Sequence, residues 1–224
     1  MKKNIFNGPQ LCISIAKRPG LYGTTIHNAG YQALGLNFFY KAFGTNDLEG
    51  AIHGVRALGI RGCSVSMPFK EKVIPLLDEL DILAKKSQAV NTIVNENGSL
   101  IGYNTDVVGI KQCLQPLKIQ KKKKILLLGS GGISRAFLVA LRNLKLNDII
   151  ITNRTLKKSQ TLAKEFDTDF IKWSERNNFN ADMIINATSV GMSPNDNLMP
   201  ISKNQIMNTE ILMDVAASPV NTKL

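Results

Sequence analysis

The stretch Lys124-Ile-Leu-Leu-Leu-Gly-Ser-Gly-Gly-Ile-Ser-Arg-Ala136 limits what this chain can fold into more than any other. Ile125 to Leu128 is an unbroken apolar run, which suits a strand buried on both faces, as in a parallel sheet. Gly129, Gly131 and Gly132 then make a turn where side chains would obstruct a closely approaching ligand. After it, Ile133, Ala136, Phe137, Ala140, Leu141 and Leu144 recur at helical spacing. A strand, a glycine turn and a helix start bring free backbone N–H groups and the positive end of the helix dipole to one point, which suits a pyrophosphate.

Gly129-x-Gly131-x-x-Ser134 carries serine where the dinucleotide fingerprint has its third glycine, and serine is small enough for close helix–strand packing. The second strand of this unit ends in Thr152-Asn-Arg-Thr-Leu-Lys-Lys158. An NAD-specific unit usually has a carboxylate there to hold the ribose 2′-OH. Here Arg154, with Lys157 or Lys158, offers guanidinium and ammonium donors to a 2′-phosphate instead, so the expected cofactor is NADP.

Composition excludes several other classes. The 224 residues suffice for one large domain or two small ones, and 44% hydrophobic content fits a soluble globular protein. No apolar stretch reaches the roughly 18 residues that a membrane span needs. Met1 to Pro9 carries charge without a long apolar core, so no signal peptide is expected. Cys12, Cys63 and Cys113 are odd in number and far apart, which suits free thiols in a reducing cytoplasm rather than a disulfide framework or a metal site. The net charge of +11 suits anionic small molecules. Its densest run, Lys121 to Lys124, has no interleaved aromatics, so no specific nucleic-acid partner is expected.

In chain order, Gln10 to Ala16 reads as a strand, and Thr24 or Thr25 as the cap of a helix running to about Leu34. Asn37 to Phe43 follows as a second strand. Asn46 or Asp47 caps a helix with Leu48, Ile52, Val55 and Leu58 on one face. Gly62 to Met67 reads as a third strand, and Pro68 as the opening of a helix. Ala89 to Val94 and Ser99 to Tyr103 flank Asn97-Gly98, a strong hairpin turn. Thr105 or Asp106 starts a connecting helix to about Leu114, which Pro116 breaks. The nucleotide unit continues with a strand at Asp148 to Thr152, a helix at about Leu156 to Phe166, and strands at Ala181 to Asn186 and Ile211 to Val215. Strands alternating with helices up to Met67 imply a parallel sheet with crossover helices, and the boundary between the two α/β units falls near residues 104–106.

Three segments put polar groups where strands of the first unit end. Lys70 falls on the first turn of the expected helix after a strand, Asn91 opens the hairpin, and Asp106 follows its close. A hairpin returns its ends to one neighbourhood, so Asn91 and Asp106 can face one substrate. A lysine and a carboxylate near a nicotinamide suit alcohol–ketone hydride transfer, the lysine shuttling the proton while the carboxylate orients it or the hydroxyl.

Six motifs carry a resemblance along nearly the whole chain. They are Gly62-Cys-Ser-Val-Ser-Met-Pro-Phe-Lys-Glu71, Ala89-Val-Asn-Thr92, Gly102-Tyr-Asn-Thr-Asp106, Gly129-Ser-Gly-Gly132, Asn153-Arg-Thr155 and Asn186-Ala-Thr-Ser-Val-Gly-Met192. In order and spacing the sequence resembles the shikimate dehydrogenase family, which reduces 3-dehydroshikimate to shikimate with NADPH on the way to chorismate and the aromatic amino acids. The resemblance implies a fold class of α/β with two domains, an N-terminal α/β substrate domain over 1–104 and a Rossmann-type NADP-binding domain over 105–224. It implies Lys70 as catalytic lysine, Asp106 as its carboxylate partner, Asn91 on a substrate hydroxyl, and Ser66 at a substrate-binding threonine position. Gly129, Gly131 and Gly132 would cradle the pyrophosphate, Asn153, Arg154, Thr155 and Lys158 would hold the 2′-phosphate, and Thr188, Ser189 and Met192 would line the nicotinamide side. The implied protein is cytoplasmic, a monomer or homodimer, with a small carboxylic acid as substrate and no metal.

The sequence also departs from the family. Two serines that bind the substrate carboxylate in the family are replaced by Leu21 and Gly23, leaving Tyr22, Thr24 and Thr25 as nearby candidates. In Asp214-Val-Ala-Ala-Ser-Pro219, Ala217 stands where the family commonly has tyrosine. Both changes are shared with the shikimate-dehydrogenase-like subgroup, which the chain resembles more closely. A hydrogen bond to a charged group contributes roughly 1.5–3 kcal/mol, so losing two is expected to weaken shikimate by orders of magnitude unless the threonines compensate. Quinate or an amino-substituted relative is the first alternative, and a non-catalytic nucleotide-binding protein the second. Family members continue for some tens of residues past Pro219-Val-Asn-Thr-Lys-Leu224, so the nucleotide domain is expected to be incomplete, from a fragment or a truncated gene.

Overall fold

A computed structural model describes residues 8–194, 196–216, 218–219 and 221–224. The chain divides into two compact units between Thr105 and Asp106.

The first unit opens with β1 (Gln10–Ala16), α1 (Tyr22–Ala33), β2 (Phe38–Gly44), α2 (Leu48–Ala57) and β3 (Gly62–Val65). β1 pairs in parallel with both β2 and β3, as alternating strands and helices require. Asp47 caps α2, its carboxylate accepting the Gly50 N–H at 2.8 Å. The next elements are β4 (Glu79–Leu80), α3 (Ile82–Ser87), β5 (Thr92–Glu96) and β6 (Ser99–Tyr103). β5 and β6 form the expected hairpin, with Asn97 at φ 56° and Gly98 at φ 99°. Positive φ at both turn residues matches the twist of the flanking strands. Among the described residues the sheet order is β2-β1-β3-β5-β6-β4. Its core includes Ile13, Ile15, Ile52, Val55, Val65, Phe69, Val73, Ile93 and Leu100.

Two expectations for this unit fail. Thr24 and Thr25 lie inside α1, whose N-cap is Leu21; the Thr25 hydroxyl donates back to the Leu21 carbonyl at 3.3 Å. A hydroxyl one turn inside a helix bonds the preceding turn rather than capping it. Pro68 opens a run of turns that ends in a 3₁₀ segment, Ile74–Leu76, instead of an α-helix. Pro75 supplies the reason, because it lacks an N–H and biases Ile74 away from continued α-helix, leaving too few residues after Pro68 for a stable one.

Helix α4 (Thr105–Leu114) crosses the boundary into the second unit, which then makes a 3₁₀ turn containing Pro116. The unit continues through β7 (Ile125–Leu128), α5 (Gly132–Asn143), β8 (Ile149–Asn153), α6 (Leu156–Glu165), β9 (Asp169–Lys172), β10 (Met183–Asn186), α7 (Lys203–Met207) and β11 (Ile211–Asp214). Among the described residues these strands form a parallel sheet in the order β11-β10-β7-β8-β9. All four β7 residues are fully buried, and α5 buries the run from Ser134 to Leu141. Each Leu of β7 contributes about 1.5–3 kcal/mol by leaving water. The order reverses at β7, which lies between β8, next in the chain, and β10, reached after a crossover; ligands of such sheets bind outside the carboxyl ends of the strands at this point.

Candidate active site

In the first unit the chain is cross-tied where β3 ends. Ser66 N–H donates to the Ile15 carbonyl at 2.9 Å, and Lys17 N–H to the Met67 carbonyl at 3.2 Å, so the segments after β1 and β3 are neighbours. Buried Phe69 and Val73 anchor the turn that carries half-buried Lys70. The Lys70 carbonyl accepts the Val90 N–H at 2.7 Å, and the Asn91 carbonyl accepts the Val65 N–H at 2.8 Å. Across the hairpin, Asn91 N–H donates to the Tyr103 carbonyl at 3.0 Å.

The Asn91 side chain is held by Thr105. Its Oδ1 accepts the Thr105 N–H at 2.9 Å, and its Nδ2 donates to Thr105 Oγ1 at 2.8 Å. The backbone contact fixes which end of the amide is oxygen. Asp106 follows directly, in the first turn of α4. Below them, buried Asn104 donates to Ser87 Oγ at 2.8 Å and to the Ala89 carbonyl at 2.9 Å. Ser66, Lys70 and Asn91 thus stand on directly bonded backbone, with Thr105 and Asp106 at the hairpin's other end. Thr105 and Asn104 escaped the sequence reading as site-shaping residues, because their partners are set by hairpin register.

The candidates on α1 lie on a separate element. Tyr22 is 59% exposed, Thr25 is exposed with its hydroxyl on Leu21, and Thr24 is half-buried. Leu21 is 80% exposed, and a β-carbon at Gly23 would rest 3.4 Å from the Tyr40 ring. Asn28 clips α1 to β2, donating to the Tyr40 carbonyl at 2.9 Å and accepting the Tyr40 N–H at 2.8 Å. His27 stacks on Tyr40 with ring centroids 4.3 Å apart.

In the second unit Gly129 sits at φ 113°, its N–H donating to the Thr152 carbonyl at 2.8 Å. A β-carbon there would meet the Ala187 carbonyl oxygen at 2.7 Å. The glycine therefore lets the turns after β7 and β10 touch at the switch point. Gly131 is the N-cap of α5 and is exposed; a β-carbon on it would meet no described atom within 4 Å. That open space above an uncapped helix start is the cradle a pyrophosphate needs. At the end of β8, Asn153 Nδ2 donates to the Thr155 carbonyl at 3.1 Å, and Arg154, Thr155 and Lys158 are exposed. After β10, Thr188 Oγ1 donates to Asn186 Oδ1 at 2.7 Å and accepts the Val190 N–H at 3.1 Å, while Met192 N–H donates to the Ser189 carbonyl at 3.2 Å. Glycine turn, basic loop and Thr188–Met192 loop all follow carboxyl ends of strands. The residues present fit a phosphorylated dinucleotide. Ala217 lies outside the described residues.

A glycine turn at the switch point of a parallel sheet, ahead of an open helix start, defines the dinucleotide-binding class of α/β proteins. Residues 23–93 match the model of the shikimate dehydrogenase substrate binding domain, and residues 112–223 that of shikimate / quinate 5-dehydrogenase. A shikimate dehydrogenase-like protein of Haemophilus influenzae is 45% identical over 95% of this chain and 79% of its own length. The shikimate dehydrogenase (NADP(+)) of Pyrococcus abyssi is 40% identical over 89% of this chain and 74% of that protein. The solved structure of a shikimate 5-dehydrogenase-like protein superposes with a TM-score of 0.84 at 44% identity, covering 97% of this chain and 81% of the other. The chain belongs to the shikimate dehydrogenase family.

Proposed function

We propose that this protein is an NADP-dependent oxidoreductase interconverting 3-dehydroshikimate and shikimate, or a closely related hydroxylated cyclic carboxylic acid. The observation that carries the reading is the cross-tied end of β3, where the Lys70 carbonyl bonds Val90 N–H at 2.7 Å beside Asn91, itself held by Thr105. Residues 1–104 form the substrate domain and residues 105–224 the cofactor domain. Gly129, Gly131 and Gly132 receive the pyrophosphate, Asn153, Arg154, Thr155 and Lys158 the 2′-phosphate, and Thr188, Ser189 and Met192 the nicotinamide side. When bound in reduced form, NADP supplies the hydride.

The chain's own groups do the rest. Asn91 donates a hydrogen bond to a ring hydroxyl of the substrate, and Ser66 adds a second polar contact. Lys70 hydrogen-bonds the ketone oxygen, passes it a proton as negative charge develops, and is reprotonated from solvent. Asp106 orients that ammonium or the substrate hydroxyl. The protein works in the cytoplasm, as a monomer or homodimer, in the pathway to chorismate and the aromatic amino acids. Its partner is a small carboxylic acid rather than a membrane or a specific nucleic acid.

A second reading concerns the substrate. Leu21 and Gly23 offer no hydroxyl to a carboxylate, so Thr24, Thr25 and Tyr22 remain to bind it. Quinate or an amino-substituted relative then becomes a competing substrate, and a panel followed at the NADPH absorbance decides between them. Lys70→Ala is expected to lower turnover about 10²–10⁴-fold with unchanged NADPH affinity. Full turnover in the purified variant overturns the role of Lys70, and NADPH binding without turnover on any substrate identifies a non-catalytic nucleotide-binding protein.

A further inference from the structure

We infer that Asp214 is a positioning residue that fastens the loop at 187–193 to Ala216 and Thr222, making one wall beside the nicotinamide. The inference rests on the cofactor reading above, in which Thr188 to Met192 line that side.

Asn186 and Asp214 are the last residues of β10 and β11 and stand opposite each other in the parallel register. Asn186 is fully buried. Its Oδ1 accepts from Thr188 Oγ1 at 2.7 Å and Thr188 N–H at 3.2 Å, which fixes the other end of the amide as the donor. That Nδ2 donates to the Val190 carbonyl at 3.0 Å and to Asp214 Oδ1 at 2.9 Å. The carboxylate, an acceptor with several lone pairs, then reaches the other segment. Oδ1 also accepts the Ala216 N–H at 3.0 Å, and Oδ2 accepts the Thr222 hydroxyl at 2.9 Å.

Further ties run directly between the two segments. Ser193 N–H donates to the Ser218 carbonyl at 3.1 Å, and a β-carbon at Gly191 would lie 4.0 Å from Thr222 Cβ. Val215 N–H donates to the Asn186 carbonyl at 3.2 Å. One carboxylate therefore bonds three donors, one in the β10 strand end that shapes the first loop and two in the second segment. An apolar residue at 214 would leave the buried Asn186 Nδ2 and the Thr222 hydroxyl each short of an acceptor. Asparagine can still accept from Asn186 and Ala216 while donating to Thr222, whose hydroxyl reverses.

The test uses the full chain and two probes, NADPH and 2′-phospho-ADP-ribose, which lacks the nicotinamide. Asp214→Ala is expected to weaken NADPH about tenfold or more, the loss of a charge-assisted bond, and to leave the fragment within about twofold. Asp214→Asn keeps affinity near wild type for both, and Thr222→Val weakens NADPH alone, by a smaller factor. Equal loss of both probes in Asp214→Ala, or none of NADPH, overturns the role; so does Asp214→Asn behaving like Asp214→Ala. If Asp214→Ala does not fold, Thr222→Val decides, since unchanged NADPH affinity there also overturns it. Hydrogen exchange separates this inference from the cofactor reading. If wild type binds neither probe, the cofactor reading has failed, yet faster exchange both in 187–193 and at Ala216 and Thr222 on disrupting the Asp214 bonds still supports the fastening, and faster exchange on one side alone refutes it.

Discussion

Asn91 and Thr105 are fourteen residues apart in the chain, yet the Asn91 amide accepts the Thr105 N–H at 2.9 Å and donates to its hydroxyl at 2.8 Å. This pair joins the start of β5 to the start of α4 and sets the direction in which Asn91 offers its remaining donor.

Thr105→Val keeps the backbone bond and removes the hydroxyl. A neutral hydrogen bond contributes about 0.5–1.5 kcal/mol, so KM for the cyclic acid should rise roughly 2–10-fold with little change in NADPH affinity. Thr105→Ser should restore it. Steady-state kinetics of both variants measure this, and an unchanged KM in Thr105→Val would show that Asn91 needs no such support.

Gly129 and Gly131 should respond oppositely to alanine. At Gly129 the new β-carbon meets the Ala187 oxygen at 2.7 Å with φ at 113°, a strained arrangement costing about 1–3 kcal/mol that appears as a lower Tm. At Gly131 the new methyl meets open space, so stability should stay within about 0.5 kcal/mol while NADPH binding weakens. Calorimetric melting and NADPH titration together test the pair.

Arg154→Ala should weaken NADPH by about 10–100-fold, the loss of a charge-assisted hydrogen bond, and leave NADH nearly unaffected. A parallel loss for both cofactors would remove Arg154 from 2′-phosphate recognition.

Acid should weaken the first unit through Asp78. The Arg56 side chain, bonded at 2.7 Å, and then the Leu100 N–H at 2.7 Å hold its carboxyl below the usual carboxylate range. A depressed folded pKa means the stabilisation is complete above the unfolded value of about 3.9 and is lost as pH falls through the folded value. The Tm difference between wild type and Asp78→Asn should therefore be steady near neutral pH and shrink below about pH 4. A difference that grows on acidification would contradict the assigned sign.

Burial pushes the Cys63 thiol up to about 12, while Cys113 is exposed. Alkylation at pH 8 should modify Cys113 in the native protein and reach Cys63 after denaturation, as mass spectrometry of the labelled peptides would show.

The nucleotide unit was largely legible because its signals are local. An apolar run, a glycine turn and a helical repeat place β7 and α5 without reference to the rest of the chain, and Pro116 ends α4 where expected. Asn97-Gly98 likewise demands its hairpin, and Asp47 its helix. Edge strand β9 was missed, since Asp169–Lys172 is mostly exposed and shows no buried alternation. The segment after Pro68 was misread because a favourable first-turn proline weighs less than a second proline at 75.

The sequence alone determined most of the strands and helices, where the glycine turn falls and which residue types carry the chemistry, because each depends on neighbours along the chain. Tertiary structure alone decided that Thr105 holds Asn91, that Ala187 presses on Gly129 and that Asp214 bonds Asn186. Those partners depend on strand order and register, which arise when separate segments bury their apolar faces together, and no local pattern records them.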